Sequence, residues 1–525
     1  MTIKEDIKRV IEQSLDVKED VQILEPEDEK FGDYATNLAF ALAKKEGKSS
    51  KEIAEKLRDL LAKKGEIFEK VEVAGNGYLN LFLQKEYLMG KLKEIGENEG
   101  NYGRIKKERP EKIQVEFISA NPTGPLHLGH GRNAFYGDVL ARVLAYAGDD
   151  VEREFYVNDA RESAQIRELG KTVLGNGTQY QNEYTQEIIQ EMQETLKNLS
   201  DEGEAGHAVA TRILEDIKKL VAKMGIDFDE WFSEQILYQG DAKENLLKDF
   251  EQEGETYEKE GALWLKTSAF GDDKDRVLVK RTGDMTYFLA DILYHKNKIE
   301  RGFDKIIDIW GADHQGHEKR MQALMRMLGF KGLLVIPIIQ MVRLQTKEGP
   351  QKMSKRLGTA VDLEELINKV GKDVVRFMMV SKDISTQMIF DLELAQEKSE
   401  KNPVYYLQYA LVRCKSILRS AKPEVQSTKD SNNLNLLKEP AEMALIKETL
   451  KFPDLIKEIA QNYEVHHLTT YGINLAKELH HFYKIHRVLT DDEKLSQARL
   501  DLIVGAKVVL ECLFDILGIE KLETM

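Results

Sequence analysis

Ile3, Ile7, Val10, Ile11 and Leu15 fall at helical spacing in the opening segment, and a second helical run follows from about 50 to 64 after the break GKSS. VEVAGNGYLNLFL then alternates on either side of a Gly-Asn-Gly turn and predicts strand, turn, strand. Residues 1–108 are therefore expected to form one α/β unit, closed by the charged stretch RIKKERPEK. In KIQVEFISA the apolar Ile113, Val115 and Phe117 alternate with Gln114 and Glu116, and a Pro-Gly loop, a helix running to Gly148 and the strand EREFYV come next. That order predicts a parallel sheet with a ligand site at the carboxyl ends of its strands. From about 160 to 270 the pattern is acidic and mostly helical, as in EYTQEIIQEMQETL, and is expected to be an insertion. Strand patterns return in DRVLVKR, DKIIDIW and LLVIPII, with a helix in HEKRMQALMRMLG, and complete a second βαβ half of a Rossmann-like domain over 109–365. Residues 366–525 read as all-helical, with Val404, Leu407, Leu411, Cys414 and Ile417 on one stripe and KPEVQSTKDSNNLN as a polar linker.

At 525 residues the chain exceeds what one core supports, which agrees with several folding units. Hydrophobic residues make up 42% and charged residues 32%, with no apolar run near the roughly 20 residues that span a bilayer. The start MTIKEDIKRVIEQSL has no apolar signal core, so a cytoplasmic protein without a membrane partner is expected. The only cysteines, Cys414 and Cys512, sit in helical patterns without a ligand partner at metal-binding spacing; they read as core residues, and neither a structural zinc nor a disulfide framework is expected. The formal net charge of -15 means that any nucleic-acid surface must be local.

Two short motifs carry chemistry. His127, Leu128, Gly129 and His130 follow the Pro-Gly loop at the expected helix start, where two histidines three apart face one way and the helix terminus favours an anion. Taken alone, paired histidines on a helix are more often metal ligands or surface residues. Lys352, Met353, Ser354 and Lys355 lie far downstream, between LLVIPII and a helix; alone they read as a solvated basic turn. In this order, on the two halves of one sheet, they match the HIGH and KMSK signatures, and the chain resembles the class I aminoacyl-tRNA synthetases.

That resemblance implies adenylate formation from ATP with magnesium. His127, His130, Lys352 and Lys355 would be the catalytic charge stabilisers, and no covalent nucleophile is needed. The loop and helix start, Pro122, Thr123, Gly124, His127, Leu128, Gly129, His130, Gly131 and Arg132, would cradle ATP together with Lys352, Met353, Ser354 and Lys355. Gly311, Asp313 and His314 in the segment GADH resemble the part that holds ribose and adenine, although Asp313 equally fits a helix cap.

More specifically, FGDYATN, EFISANPTGPLHLGHGR, YVNDA, FDEWFSE, GDMTYFLADI, KNPVYYLQYA and HHFYKIHRVL resemble bacterial-type arginyl-tRNA synthetases, most weakly over about 165–225 and 420–470. A guanidinium needs carboxylates in fork geometry and an aromatic face. Tyr287 and Asp291, one helical turn apart, supply both, with Glu116 as a second carboxylate and Ser119, Asn121 and His127 toward the α-amino end. Read without the resemblance, Tyr287 is a core aromatic and the two acids are solvated charges. One departure stands out: some relatives carry a glutamine near 311–312, where this chain has Gly311 and Ala312. A buried polar fork rejects unmatched ligands strongly enough that no editing site is expected in the insertion.

The resemblance also implies tRNA(Arg) and L-arginine as substrates, a monomer, and activation that requires bound tRNA. Tyr78 and Asn80 would read a base at the tRNA elbow, though they equally read as a packed tyrosine and a turn asparagine. Tyr406, Tyr409 and Arg413, with His480, His481, Tyr483 and Arg487, would serve the anticodon. Two other readings stay open: an adenylate-forming enzyme with a non-RNA acceptor, and a silent tRNA-binding scaffold.

Overall fold

A computed structural model describes residues 2–15, 21–63, 65–346, 349–351, 361–421 and 431–525. The opening helix spans Ile3–Leu15 and buries Ile3, Ile7 and Ile11, the stripe its spacing predicts. It packs with helices Leu38–Glu46, Ser50–Leu61 and Lys85–Glu97 around an antiparallel sheet ordered 23–24, 34–36, 78–83, 68–74.

The central sheet holds five parallel strands in the spatial order Leu333–Val335, Lys305–Asp308, Lys112–Glu116, Asp150–Val157, Glu230–Ser233. Chain order reverses between Lys112–Glu116 and Lys305–Asp308, and such a switch point opens a crevice at the carboxyl ends of the strands. Lys112–Glu116 is covered on both faces: Gln114 is as fully buried as Ile113 and Val115. Helix Leu128–Tyr146 lies directly on the sheet. A Cβ at Gly137 would stand 2.3 Å from the Phe117 ring, so only glycine admits this approach.

The structure departs from the expected helical insertion. Helices Ala164–Val173, Glu183–Glu191 and Glu202–Lys223 are present, but Glu230–Ser233 is an edge strand of the central sheet, paired with Glu154–Val157. Residues 256–259, 262–265 and 276–279 form a separate antiparallel sheet, so DRVLVKR belongs there and not to the parallel half. LLVIPII is divided at Pro337: Leu333–Val335 joins the central sheet and Ile338–Ile339 pairs with Trp310–Gly311. Beyond 366 the segment is not wholly helical, since Met388–Asp391 pairs in parallel with Val342–Gln345. The helical bundle follows, with helices Pro403–Ser420, Pro440–Leu450, Phe452–Asn462, His466–Ile485 and Glu493–Leu517. Cys414 and Cys512 are buried in it.

The bundle is joined to the helix on the sheet through buried charge. Arg376 pairs with Asp138 at 2.5 Å and donates to the carbonyls of Met224 at 2.9 Å and Leu517 at 3.3 Å. On its other side the bundle clasps the N-terminal unit through Lys4–Glu458, Lys457–Glu5 and Lys447–Asp33 at 2.5, 2.5 and 2.6 Å.

Candidate active site

Glu116 ends its strand, and the chain then turns through Ile118 and Ser119 at φ 66° and 38°, a region that non-glycine residues rarely enter. Asn133 holds this turn: its Oδ1 accepts from the Ile118 N–H at 2.5 Å and its Nδ2 donates to the Ile309 carbonyl at 3.0 Å. The loop through Asn121, Pro122, Thr123 and Gly124 then leads to the helix start. Pro122 is buried, while a Cβ at Gly124 would meet nothing within 4 Å.

His127 and His130 form a reciprocal cap. His127 Nδ1 accepts from the Gly129 and His130 N–H groups at 3.1 and 3.4 Å, and His130 Nδ1 accepts from the His127 N–H at 3.1 Å. The rings stack with centroids 3.7 Å apart. Both Nδ1 atoms accept, which in a neutral ring leaves the proton on Nε2. The His127 ring stands 3.0 Å from where a Gly129 Cβ would be, so the glycine makes room for the ring.

Three other members of the expected ATP cradle are placed elsewhere. Leu128 is a core side chain, although its N–H reaches the Val361 carbonyl at 3.2 Å. A Gly131 Cβ would meet Leu363 at 2.8 Å, which makes Gly131 a packing position. Arg132 has no exposed surface, and its guanidinium donates to the carbonyls of Gln340, Thr386, Asp383 and Lys382 at 2.9, 2.8, 2.8 and 3.4 Å. Its guanidinium ties the helix to the segments that carry these carbonyls. Lys352, Met353, Ser354 and Lys355 lie outside the described residues. Further along, where the described residues resume, the Leu363 N–H donates to the Leu126 carbonyl and Asp362 bridges to His127.

Gly311 precedes a short 3-10 turn over Ala312–His317 that has no side-chain cap, so Asp313 does not act as one. Its carboxylate is 82% exposed and lies 3.5 Å from His314 Nε2.

Acidic residues stand in register across four strands: Asp308 beside Glu116, both at strand ends, Glu116 beside Glu154, and Glu154 beside Glu230. The helix Tyr287–Glu300 faces this row. Lys298 Nζ lies 2.6 Å from both Glu116 and Asp308, the Tyr294 hydroxyl shares its one proton between Glu154 and Glu116, the latter at 3.0 Å, and His295 Nε2 lies 2.9 Å from Asp308. Arg301 pairs with Glu152 and Glu154. Burial would raise Asp308, but Lys298 and His295 hold it well below the usual carboxylate range.

Two acids near this network shift the other way. Burial pushes Asp291 up to about 6 against the pull of His295 and Arg320, with Glu116 adding like charge. Burial pushes Glu234 up to about 8, with Asp159 and Asp291 near by. Tyr287 is half-exposed, donates to Gln165 at 2.7 Å and lies in the field of Glu234, so it shares the side of Asp291 that the one-turn spacing predicts. Ser119 donates to Glu116 at 2.8 Å and accepts from the Tyr156 N–H at 3.1 Å. Asn121 accepts from Asn158 at 3.0 Å. Among the described residues, two buried acceptors, Glu234 Oε2 and Asn158 Oδ1, have no hydrogen-bond partner. Unpaired acceptors among carboxylates suit a ligand rich in N–H donors and positive charge.

Sequence reasoning missed Glu234, Asp159, Asn158, Tyr294 and Lys298. The segments YVNDA and FDEWFSE and the i+4, i+7 positions after Tyr287 and Asp291 held the signal. With 230–233 read as part of an insertion, Glu234 had no sheet end to occupy.

Two further surfaces involve expected RNA contacts. Tyr78 is 45% exposed, meets Phe40 edge-on at 5.1 Å and borders a hollow of about 310 Å³ with Leu24, Phe31 and Ala35; Asn80 is buried in the sheet at the hollow's base. In the bundle, the Arg413 guanidinium lies over both Tyr409 and Tyr483, at 4.8 and 4.3 Å, beside a groove of about 700 Å³ that Lys484 and Arg487 also line. Tyr406 and His480 pack behind it at 4.7 Å, and His481 is exposed outside the groove lining.

A switch-point sheet whose signature helix begins with a stacked histidine pair defines the catalytic half of a class I aminoacyl-tRNA synthetase. Three family patterns agree: "Arginyl tRNA synthetase N terminal domain" over residues 1–83, "tRNA synthetases class I (R), catalytic domain" over 161–397 and "DALR anticodon binding domain" over 407–525. The arginine–tRNA ligase of Desulfosudis oleivorans is 39% identical, covering 96% of this chain and 95% of its own, and that of Oceanobacillus iheyensis is 39% identical over 96% and 94%. The arginyl-tRNA synthetase of Thermus thermophilus superposes with a TM-score of 0.81 at 23% identity, covering 100% of both chains. The chain belongs to the arginyl-tRNA synthetase family.

Proposed function

We infer that this chain is an arginine–tRNA ligase, and that the acidic crevice between Glu116, Glu234 and Asp291 receives the substrate's two cationic ends. The observation that carries the reading is the pair of buried acceptors, Glu234 Oε2 and Asn158 Oδ1, that lack a hydrogen-bond partner among the described residues, the first near Asp291 and the second on the side chain that donates to Asn121.

In the first step the arginine carboxylate attacks the α-phosphate of ATP in line; the new C–O–P bond forms as pyrophosphate leaves. His127 and His130 donate from Nε2 to the triphosphate, at a helix end whose dipole also favours the anion. Lys352 and Lys355 add charge from the second signature. Gly311, Asp313 and His314 take the ribose and adenine side, and Pro122 to Gly124 the phosphates. Magnesium is read as entering with the triphosphate; among the described residues no group of three or more His, Cys, Asp or Glu side chains is built to ligate it. In the second step a ribose hydroxyl at the tRNA 3′ end attacks the acyl carbon, AMP leaves with the bond electrons, and the hydroxyl proton passes to the departing phosphate.

Tyr78 and Asn80 take a base at the elbow of tRNA(Arg), and Tyr409, Arg413 and Tyr483 stack anticodon bases. The enzyme works as a cytoplasmic monomer; no helix among the described residues is long and apolar enough to cross a membrane.

Charging of total tRNA with each radiolabelled amino acid in turn tests the assignment, with arginine-dependent pyrophosphate exchange measured with and without tRNA. Esterification of arginine alone is expected. Charging with another amino acid would retain the catalytic class and remove the acidic crevice as the specificity site, and no charging would leave a silent scaffold.

A further inference from the structure

Lys298 has no exposed surface, and its ammonium lies 2.6 Å from carboxylates on two neighbouring strands, Glu116 and Asp308, at the point where the sheet reverses direction. Two ions buried together add little stability over a well-packed apolar pair, so a lysine at this place calls for another reason. Its geometry supplies one. Oε2 of Glu116 accepts from Lys298 and from Tyr294 at 3.0 Å, while Oε1 accepts from Ser119, itself held by the Tyr156 N–H at 3.1 Å. The carboxylate is clamped on both sides and cannot rotate without breaking a charged hydrogen bond. The same helix carries Asp291 nearly two turns earlier, so one rigid element sets the spacing between the two acids.

We propose that Lys298 is the positioning residue of the arginine site, fixing Glu116 against the strand end and in register with Asp291. This rests on the reading of Glu116 as a ligand of arginine. Without the ammonium, Glu116 would stand beside Asp308 and Glu154 with only hydroxyl donors, and like-charge repulsion would turn it out of place.

The test is a double-mutant cycle on the full-length enzyme with Lys298→Met, Glu116→Gln and the two combined, reading KM for arginine, KM for ATP and thermal melting. Lys298→Met is expected to raise KM for arginine by roughly 10- to 100-fold, the scale of a charged hydrogen bond, and to leave KM for ATP within about threefold. The combined variant is expected to be no worse than the worse single one, and Lys298→Arg to recover part of the loss. If Lys298→Met melts without cooperativity, Lys298→Met/Asp308→Asn removes the second stranded carboxylate and is read in its place. Independent, multiplying effects, or equal losses for arginine and ATP, would overturn the positioning role while leaving Glu116 as a ligand. An unchanged arginine KM in Glu116→Gln would instead remove the ligand reading, and the proposal with it.

Discussion

At the residue scale, the site depends on acids whose protonation differs from that of surface carboxylates. Asp291 is pushed up to about 6 and Glu234 to about 8, both by burial, so near neutral pH the second is largely protonated before arginine arrives. A guanidinium binds the ionised forms, so binding draws protons off these groups. KM for arginine is therefore expected to fall as pH rises through about 6 and again toward about 8, with proton release seen by calorimetry in buffers of different ionisation heat. Glu234→Gln should abolish the upper limb of that profile; an identical profile in the variant would exclude Glu234 from the site. His127, His130, Tyr287 and Asp291 were singled out through the family resemblance; read alone, the motif and the one-turn spacing gave a surface histidine pair, a core aromatic and a solvated acid. Lys298 was not, since a lysine in YHKNKIE reads as solvated until its helix is laid on a row of acids.

At the element scale, the turn after Glu116 is held in an unfavourable conformation by the Asn133 amide together with the bonds of Ser119 to Glu116 and Tyr156. Two non-glycine residues at positive φ cost about 1–3 kcal/mol each, and Asn133 offsets this by bridging Ile118 to Ile309. Asn133→Ala leaves the buried Ile118 N–H unpaired and is expected to lower stability by about 1–3 kcal/mol. KM for arginine should rise with it, because Ser119 shifts. Denaturant melts and arginine KM on one preparation check this, and a stable variant with wild-type KM would refute it. Helices Ile3–Leu15 and Pro403–Ser420 and the strand Lys112–Glu116 were visible from periodicity. Glu230–Ser233 was not: four residues following long helices give too little alternation, and the pairing that defines it comes from Glu154–Val157, far earlier in the chain.

At the scale of the whole molecule, the N-terminal unit and the bundle meet around Asp454, which accepts from the Lys4 N–H at 3.3 Å and which burial pushes up to about 6. A carboxyl raised in the folded state holds its proton more tightly there than in the unfolded chain, whose value is 3.8. Its contribution to stability is complete below 3.8 and is lost as pH rises through about 6. Asp454→Asn keeps the acceptor without the charge and is expected to stabilise the protein by roughly 1–3 kcal/mol above about pH 7, with no gain in acid. Equal gains at both ends of the range would rule out the linkage. On the bundle's far side, Tyr409→Ala removes a stacking face and is expected to raise KM for tRNA roughly 10- to 100-fold, with KM for arginine unchanged. An N-terminal unit, a catalytic sheet and a helical bundle were readable from pattern shifts, but the pairing of Met388–Asp391 with Val342–Gln345 across the expected division at 366 was not. The clasp was not, because Lys4, Glu5 and Asp33 look like ordinary surface charges until the bundle supplies Glu458, Lys457 and Lys447.

The row of acids across the central sheet has a consequence for the order in which the chain is made. Glu116 and Glu154 leave the ribosome early, on strands that must lie side by side, whereas Lys298 emerges 182 positions after Glu116 and Arg301 147 after Glu154. During that interval the growing sheet carries its negative charges without their counterions, so a nascent chain halted before Lys298 should close its central strands only in acid, and the catalytic half should reach its native form late in translation.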